Sequence, residues 1–351
     1  MMKPYKHALI AASVAALVWV PSAVAKTVEL KYAGFVPAGH FMSKYITAWA
    51  AKLEALSIGQ MKIALYHGAQ MGPPPKYYDI ARKGVADFTW ILHGATPGRF
   101  PLNELIQLPY TVPSAEVGTL VLNQPDLREV LDKEHRGLKV LYLMTHQPGN
   151  LHTRTRPVRT AEDMKGLRIR FASPTIREWV GALGGTPVGM PPTQIADGLQ
   201  KGTIDGVFID YGGAHTAFKL GGLVKHTTEM YSYVSSFSVV MNPKTFGKLS
   251  KAHQDLVTSS TTGIAREVGR MWDAADAPGK AYLVSEGGET IHLSEAEDAK
   301  FKRIAQGVTE ARLAGLEGKG LPAREVYGKM KAYSEKFAAS SKNFWSGLKR
   351  R

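Results

Sequence analysis

Two arginines in the stretch Leu167-Arg168-Ile169-Arg170-Phe171 are the residues whose type and spacing point most directly to chemistry. Side chains alternate along a strand, so Leu167, Ile169 and Phe171 share one face. Arg168 and Arg170 share the other, with Arg170 toward the C-terminal end. A guanidinium presents two parallel N–H donors that match the two oxygens of a carboxylate, which fixes geometry as well as charge. The chemistry on offer is capture of an anion. A structural Arg170 bridging Asp205 or Glu178 is the competing use of the same side chain. Four further positions could contribute. Phe35 and His40 follow the first strand, where the loop either meets a ligand or caps the next helix. Trp90 ends a strand, with its ring either against a ligand or in the core. Gln70 sits in a Gly-rich loop from which its amide could reach a ligand oxygen. Arg99, in Pro97-Gly98-Arg99-Phe100-Pro101, reads as a structural residue.

Templates for catalysis return nothing. The chain has no Gly-x-x-x-x-Gly-Lys-Ser/Thr loop, no Gly-x-Ser-x-Gly elbow, no His-Glu-x-x-His pair and no calcium loop. The glycines from Gly181 to Gly189 follow a helix instead of a strand, so they do not read as a dinucleotide site. The 11 histidines are dispersed; His40, His67 and His93 could meet at a metal at strand ends, but surface or ligand-lining roles are favoured, and neither metal nor other cofactor is expected. Cysteine is absent, which excludes disulfides, thiolate metal sites and a Cys nucleophile. The formal charge of +14 comes from scattered basic residues with no run of interleaved aromatics, so nucleic acid is not an expected partner. It suits a basic surface and an anionic ligand.

The elements that must hold these residues begin after a leader. Lys3 and Lys6, the uncharged run Ala8 to Val20 and the small-x-small pattern Ser22-Ala23-Val24-Ala25 read as a signal peptide over residues 1–25, and the chain as periplasmic. That run is too short for a bilayer core of about 30 Å. The remaining length exceeds what one hydrophobic core usually holds, so two lobes are expected. Val28 to Ala33 reads as a strand, Ser43 to Ala55 as a helix, Met61 to Tyr66 as a strand, Tyr77 to Lys83 as a helix and Asp87 to Ile91 as a strand. This alternation indicates α/β architecture with a mostly parallel sheet, whose ligands sit at the C-terminal strand ends. Lys139 to Thr145, Leu167 to Phe171, Pro187 to Met190, Val207 to Ile209 and Ser236 to Met241 continue as strands. Ser173 to Leu183 and Thr193 to Lys201 read as helices, capped by Ser173 or Thr175 and by Thr193. From Thr245 toward Pro278 the pattern reads as one long helix kinked by the proline. Ser294 to Phe337 is helical, broken at Gly318 to Pro322.

The run Pro157-Val158-Arg159-Thr160-Ala161-Glu162-Asp163-Met164-Lys165-Gly166-Leu167-Arg168-Ile169-Arg170, then Gly184-Gly185-Thr186-Pro187-Val188 and Ile204-Asp205-Gly206, resembles the signature of the DctP-like solute-binding proteins of TRAP transporters. Gly84-Val85-Ala86-Asp87-Phe88, the Pro97–Pro101 turn and Leu108-Pro109-Tyr110 extend the resemblance over nearly the whole mature chain. It implies an α/β, two-lobed periplasmic binding protein fold with mixed sheets and a long lobe-connecting helix. The lobes would comprise residues 26–147 plus 236–277 and residues 148–235 plus 278–330, followed by a helical tail over 331–351. The resemblance also implies capture of a small carboxylate on Arg170, delivery to the membrane subunits of a TRAP transporter, no catalysis, and a monomer or dimer. Where many relatives carry an asparagine after the Asp-Gly pair, this chain runs Val207-Phe208-Ile209-Asp210-Tyr211, and no second arginine stands near Gly149 and Asn150. Those departures disfavour sialic acid and simple dicarboxylates. They favour a monocarboxylate with an apolar, aromatic or keto-acid body flanked by Phe171, Tyr211 and Trp90. The rivals are a secreted α/β hydrolase built on His40 or His67, and a binding protein that feeds a sensor.

Overall fold

A computed structural model describes residues 27–340; the leader, 1–25, and the end of the helical tail, 341–351, lie outside the described residues. Eleven strands and twelve α-helices are formed among them. The strands are β1 (Val28–Ala33), β2 (Met61–Tyr66), β3 (Phe88–Leu92), β4 (Lys139–Thr145), β5 (Gly149–Thr153), β6 (Arg168–Phe171), β7 (Thr186–Gly189), β8 (Gly206–Ile209), β9 (His226–Tyr233), β10 (Ser236–Met241) and β11 (Glu289–His292). The helices are α1 (Phe41–Leu56), α2 (Tyr77–Lys83), α3 (Ala115–Leu122), α4 (Pro125–Leu131), α5 (Pro174–Ala182), α6 (Ile195–Gln200), α7 (Pro243–Lys248), α8 (Lys251–Thr261), α9 (Ala265–Asp273), α10 (Asp276–Ser285), α11 (Glu295–Glu317) and α12 (Ala323–Ser340).

The strands build two sheets, ordered β2-β1-β3-β10-β4 and β11-β9-β5-β8-β6-β7. In the first, β1 pairs parallel with β2 and β3, and only β10 runs against its neighbours. In the second, β6, β7 and β8 are parallel and β5 is the reversed strand. These two exceptions share one cause. β5 follows β4 of the first sheet after three residues, and β10 follows β9 of the second after two. A strand that enters its sheet at the edge where its parallel neighbours end has to run backwards. Both crossings, 146–148 and 234–235, therefore lie at the C-terminal edges of the parallel strands, where ligands of open α/β sheets bind.

The single long helix expected over Thr245–Pro278 is not formed; four helices occupy the region. Ser250, whose hydroxyl accepts from His253 N–H at 3.2 Å, starts α8, and Gly263 in the left-handed region (φ 76°) separates α8 from α9. The lobe-connecting helix is instead α9 with α10. Ala274 and Ala275 between them keep near-helical backbone, with φ/ψ of −64°/−18° and −81°/−10°. The interruption falls one turn before Pro278 because proline lacks the N–H that Ala274 C=O would receive, and its ring crowds that carbonyl. α9 lies on α3: Gly269 sits where a Cβ would stand 2.4 Å from Glu116 Cα, and the Asp273 carboxylate accepts from Ala115 and Glu116 N–H at 2.7 and 2.9 Å. α10 lies on the second sheet's side, with Gly279 against the Tyr211 backbone. α12 returns to the first side and packs against α3.

Candidate functional site

The cavity between the sheets opens at the strand edges where the chain crosses over. Its volume is about 50 Å³. That is room for a few waters, and a ring-sized ligand requires the walls to give, since a cavity that takes benzene is roughly 150 Å³. β1 and the loop after it supply Phe35, Val36 and His40, and β3 supplies Trp90 and Leu92. β6 supplies Arg170, β8 and its end Ile209 and Asp210, the end of β9 Tyr233, the crossings His146 and Ser235, and α9 Trp272.

Aromatic rings form most of the wall. Phe35 stacks on Trp90 with centroids 4.4 Å apart and planes 19° apart, and Phe237 lies near-parallel to Trp272 at 5.8 Å. Trp90 and Trp272 are 6.1 Å apart, which joins the two stacks. The loop from Gly213 to Ala217 is a π-helical turn lining the far side, a distortion that recurs at functional sites.

Arg170 is buried, at 3% exposure, with Nε donating to Met190 C=O at 3.2 Å. Burial lowers its pKa to about 10, so it remains a cation at neutral pH. No carboxylate of the described residues pairs with it. Asp205 is held bidentately by Arg168 (2.7 and 2.9 Å) and Glu178 by Arg312 at 3.1 Å, so both acids that could have given Arg170 a structural partner serve other arginines. Asp210 shares the cavity, but its Oδ1 accepts from Gly213 N–H at 2.7 Å, which anchors it to the π-helical turn. His146 is fixed as one tautomer: Nε2 accepts from Ser235 N–H at 2.8 Å, leaving the proton on Nδ1, which donates to Gln147 C=O. Burial pushes its pKa down. His40 is fixed the other way, with Nδ1 accepting from Met42 N–H at 3.0 Å as the N-cap of α1 and burial lowering its pKa to about 3.

Of the positions singled out in the sequence, Arg170, Phe35, His40 and Trp90 meet at this cavity. Phe171, Tyr211 and Gln70 do not line it. Alternation turns Phe171 onto the face opposite Arg170, where its ring lies over Gly189 of β7. Tyr211 is buried beside α10, its ring against His152 (5.4 Å) and its hydroxyl donating to Glu229 at 3.0 Å. Gln70 is exposed in the loop after β2, an edge strand one place removed from the cavity. His40, His67 and His93 do not gather: His67 faces Thr47 (3.4 Å), and His93 lies 3.1 Å from His135. Among the described residues no cluster of His and acidic side chains could hold a metal ion. His146, Tyr233, Ser235, Phe237 and Trp272 were not legible as site residues. His146 and Ser235 lie on the crossings between sheets and Tyr233 ends β9 beside one, and sequence periodicity does not mark where a chain changes sheet.

Residues 32–314 match the family of bacterial extracellular solute-binding proteins, family 7, known as DctP, and the chain belongs to that family. A solute-binding protein of Albidiferax ferrireducens is 25% identical over 279 residues, 78% of this chain and 81% of that protein. Two solved structures are similar throughout. One, from an unidentified marine microbe, is a TRAP solute-binding protein specific for aromatic acid ligands, in complex with 3-hydroxybenzoate; it has 30% identity and a TM-score of 0.84 over 89% of this chain and 99% of that one. The other, a TRAP solute-binding protein from Rhodoferax ferrireducens in complex with benzoate, has 28% identity and a TM-score of 0.83 over 90% and 99%. The chain is thus a TRAP-transporter solute-binding protein of two α/β lobes, an extracytoplasmic receptor that captures a small carboxylate for the transporter's membrane subunits. No helix among the described residues is long and apolar enough to cross a membrane.

Proposed function

We propose that the protein is a periplasmic receptor for a single-ring aromatic monocarboxylate, whose carboxylate pairs with Arg170 and whose ring lies among Phe35, Trp90, Phe237 and Trp272. The observation that carries this reading is a buried guanidinium with no carboxylate partner among the described residues, facing a cavity with aromatic walls. The aromatic acids bound by the two similar structures support it. The lobes divide as 26–147 with 236–277 and 148–235 with 278–322. α12 goes with the first lobe, since it packs on α3. Arg170 belongs to the second lobe, and Phe35, His40 and Trp90 to the first. A ligand held on Arg170 favours closure only by the contacts it gains with the first lobe in the closed state. Those contacts are ring against ring, each worth about 0.5–1.5 kcal/mol beyond area burial. The site is complete within one chain, whether the protein is a monomer or a dimer. On this reading the site holds its ligand without turnover, and benzoate incubated with the protein is expected to be recovered unchanged.

Isothermal titration of the mature protein with benzoate tests the assignment. Arg170→Ala leaves the ligand carboxylate buried without its partner, which costs about 2–5 kcal/mol and weakens binding at least about thirtyfold. Undiminished affinity in that variant, with the fold intact by circular dichroism, would place the carboxylate elsewhere.

A further inference from the structure

Resting on that reading, the polarity of the unmet groups around the cavity specifies the ligand further. His40 has one hydrogen-bonding edge committed: Nδ1 accepts from Met42 N–H at 3.0 Å, so the neutral ring carries its proton on Nε2. No protein acceptor among the described residues takes that proton. The ring is held in place by Phe41 (centroids 4.1 Å apart) and by Trp90 and Trp272 at 6.3 and 5.7 Å. The indole N–H groups of Trp90 and Trp272 are also buried without an acceptor. Arg170 has donors only and spends one on Met190 C=O. Opposite these donors, the Asp210 carboxylate is already engaged by Gly213 N–H, and the Tyr233 and Ser235 hydroxyls can act either way. From the first lobe the other lining side chains, Phe35, Val36, Trp90, Leu92, Phe237 and Trp272, offer no acceptor, and the one acceptor nitrogen of His146 is taken by Ser235 N–H.

We infer that the ligand is an oxygen-substituted aromatic acid, with a ring hydroxyl or oxo oxygen distal to its carboxylate, and that His40 reads this oxygen by donating its Nε2 proton to it. A neutral imidazole on the closing lobe selects an acceptor and offers no counter-charge to a second carboxylate. An apolar far end leaves the His40 proton desolvated and unpaired in the closed state. A donor-only substituent sets N–H against N–H. Selection is thereby coupled to closure, because the second lobe holds the carboxylate of every candidate equally and only the first lobe meets the far end.

Three acids of nearly one shape separate the possibilities: benzoate, 3-hydroxybenzoate and 3-aminobenzoate, titrated calorimetrically into the mature protein and into His40→Ser. Serine keeps an N-cap oxygen for α1 but removes the imidazole. The wild type should bind the hydroxy acid more tightly than the other two by on the order of tenfold, the worth of one net hydrogen bond in a dry site. His40→Ser should bind all three within about twofold of one another. Equal affinities in the wild type, or a preference for the amino acid analogue, would overturn the inference while leaving the aromatic-carboxylate reading standing. A preference that survives in His40→Ser would move the discriminating donor to another residue and overturn the role of His40. Binding of none of the three would sink both readings together. Should the variant fail to fold, the wild-type series decides on the oxygen, and 15N-resolved imidazole signals decide on His40. The Nε2–H resonance of that ring should shift downfield with 3-hydroxybenzoate and stay near its free position with benzoate.

Discussion

Taking a guanidinium out of water costs several kcal/mol unless hydrogen bonds and an opposite charge replace what is lost. Arg170 has one carbonyl bond and no anion among the described residues, and the proposed ligand carboxylate is the partner that would complete it. Two arginines separated by one residue behave oppositely because of their surroundings. Arg168, half-exposed at the start of β6, is held bidentately by Asp205. Arg168→Ala is expected to leave ligand affinity within about twofold and to cost about 1 kcal/mol or less, as exposed pairs do. Urea denaturation beside titration separates that outcome from the Arg170→Ala result. Arg170→Lys keeps the charge but loses the fork of donors, and intermediate affinity between wild type and alanine is expected. The sequence made Arg170 legible because alternation and a strand end are local properties. The same alternation that turns Arg170 toward the cavity turns Phe171 onto the opposite face, over Gly189.

Elements with strong local signals were read nearly to the residue. β1, β2, α2, β4 and β10 have the expected bounds, and Ser173 caps α5 by accepting from Ile176 N–H at 3.4 Å. β5, β9 and β11 were not recognised. β9, His226 to Tyr233, mixes polar and apolar residues without period 2, and tertiary pairing with β5 and β11 makes it a strand. Thr193 does not cap α6, because a 3-10 turn over Pro192–Gln194 precedes that helix. The connecting helix begins later than expected because Gly263 and Ser250 act as punctuation within an otherwise helical pattern. Its path over both lobes depends on two glycines. A methyl at Gly269 would meet Glu116 Cα at 2.4 Å, and one at Gly279 would meet Tyr211 C=O at 2.3 Å. Both neighbours are backbone, so Gly269→Ala should force α9 off α3 and lower stability by about 1–3 kcal/mol. The thermal midpoint reads that loss.

Over the whole molecule, buried titratable groups set a pH window for stability. Burial lowers His40 and His135 to about 3 and His152 to about 4, below the unfolded value. The unfolded chain then binds more protons, so this stability is present above about pH 6.5 and is lost as pH falls through that value toward the folded ones. Glu104 and Asp276 are raised by burial to about 8 and Asp273 to about 7. For these acids the folded chain holds the extra proton, so their contribution is present below about pH 4 and is lost as pH rises through 7 to 8. The opposing slopes predict a maximum in the urea midpoint near pH 6–7, with a fall on either side. A midpoint still rising between pH 7 and 8.5 would contradict that balance.

The proposed ligand site lies between two sheets whose reversed strands, β5 and β10, bring both crossings to the cavity. A crystal structure of the protein with 3-hydroxybenzoate is the most direct test. The carboxylate is expected in a two-bond contact with the Arg170 guanidinium, at about 2.7–2.9 Å, with the ring between Trp90 and the Phe237–Trp272 stack. An acid bound with its carboxylate away from Arg170, or an Arg170 side chain turned out of the cavity in the complex, would contradict it.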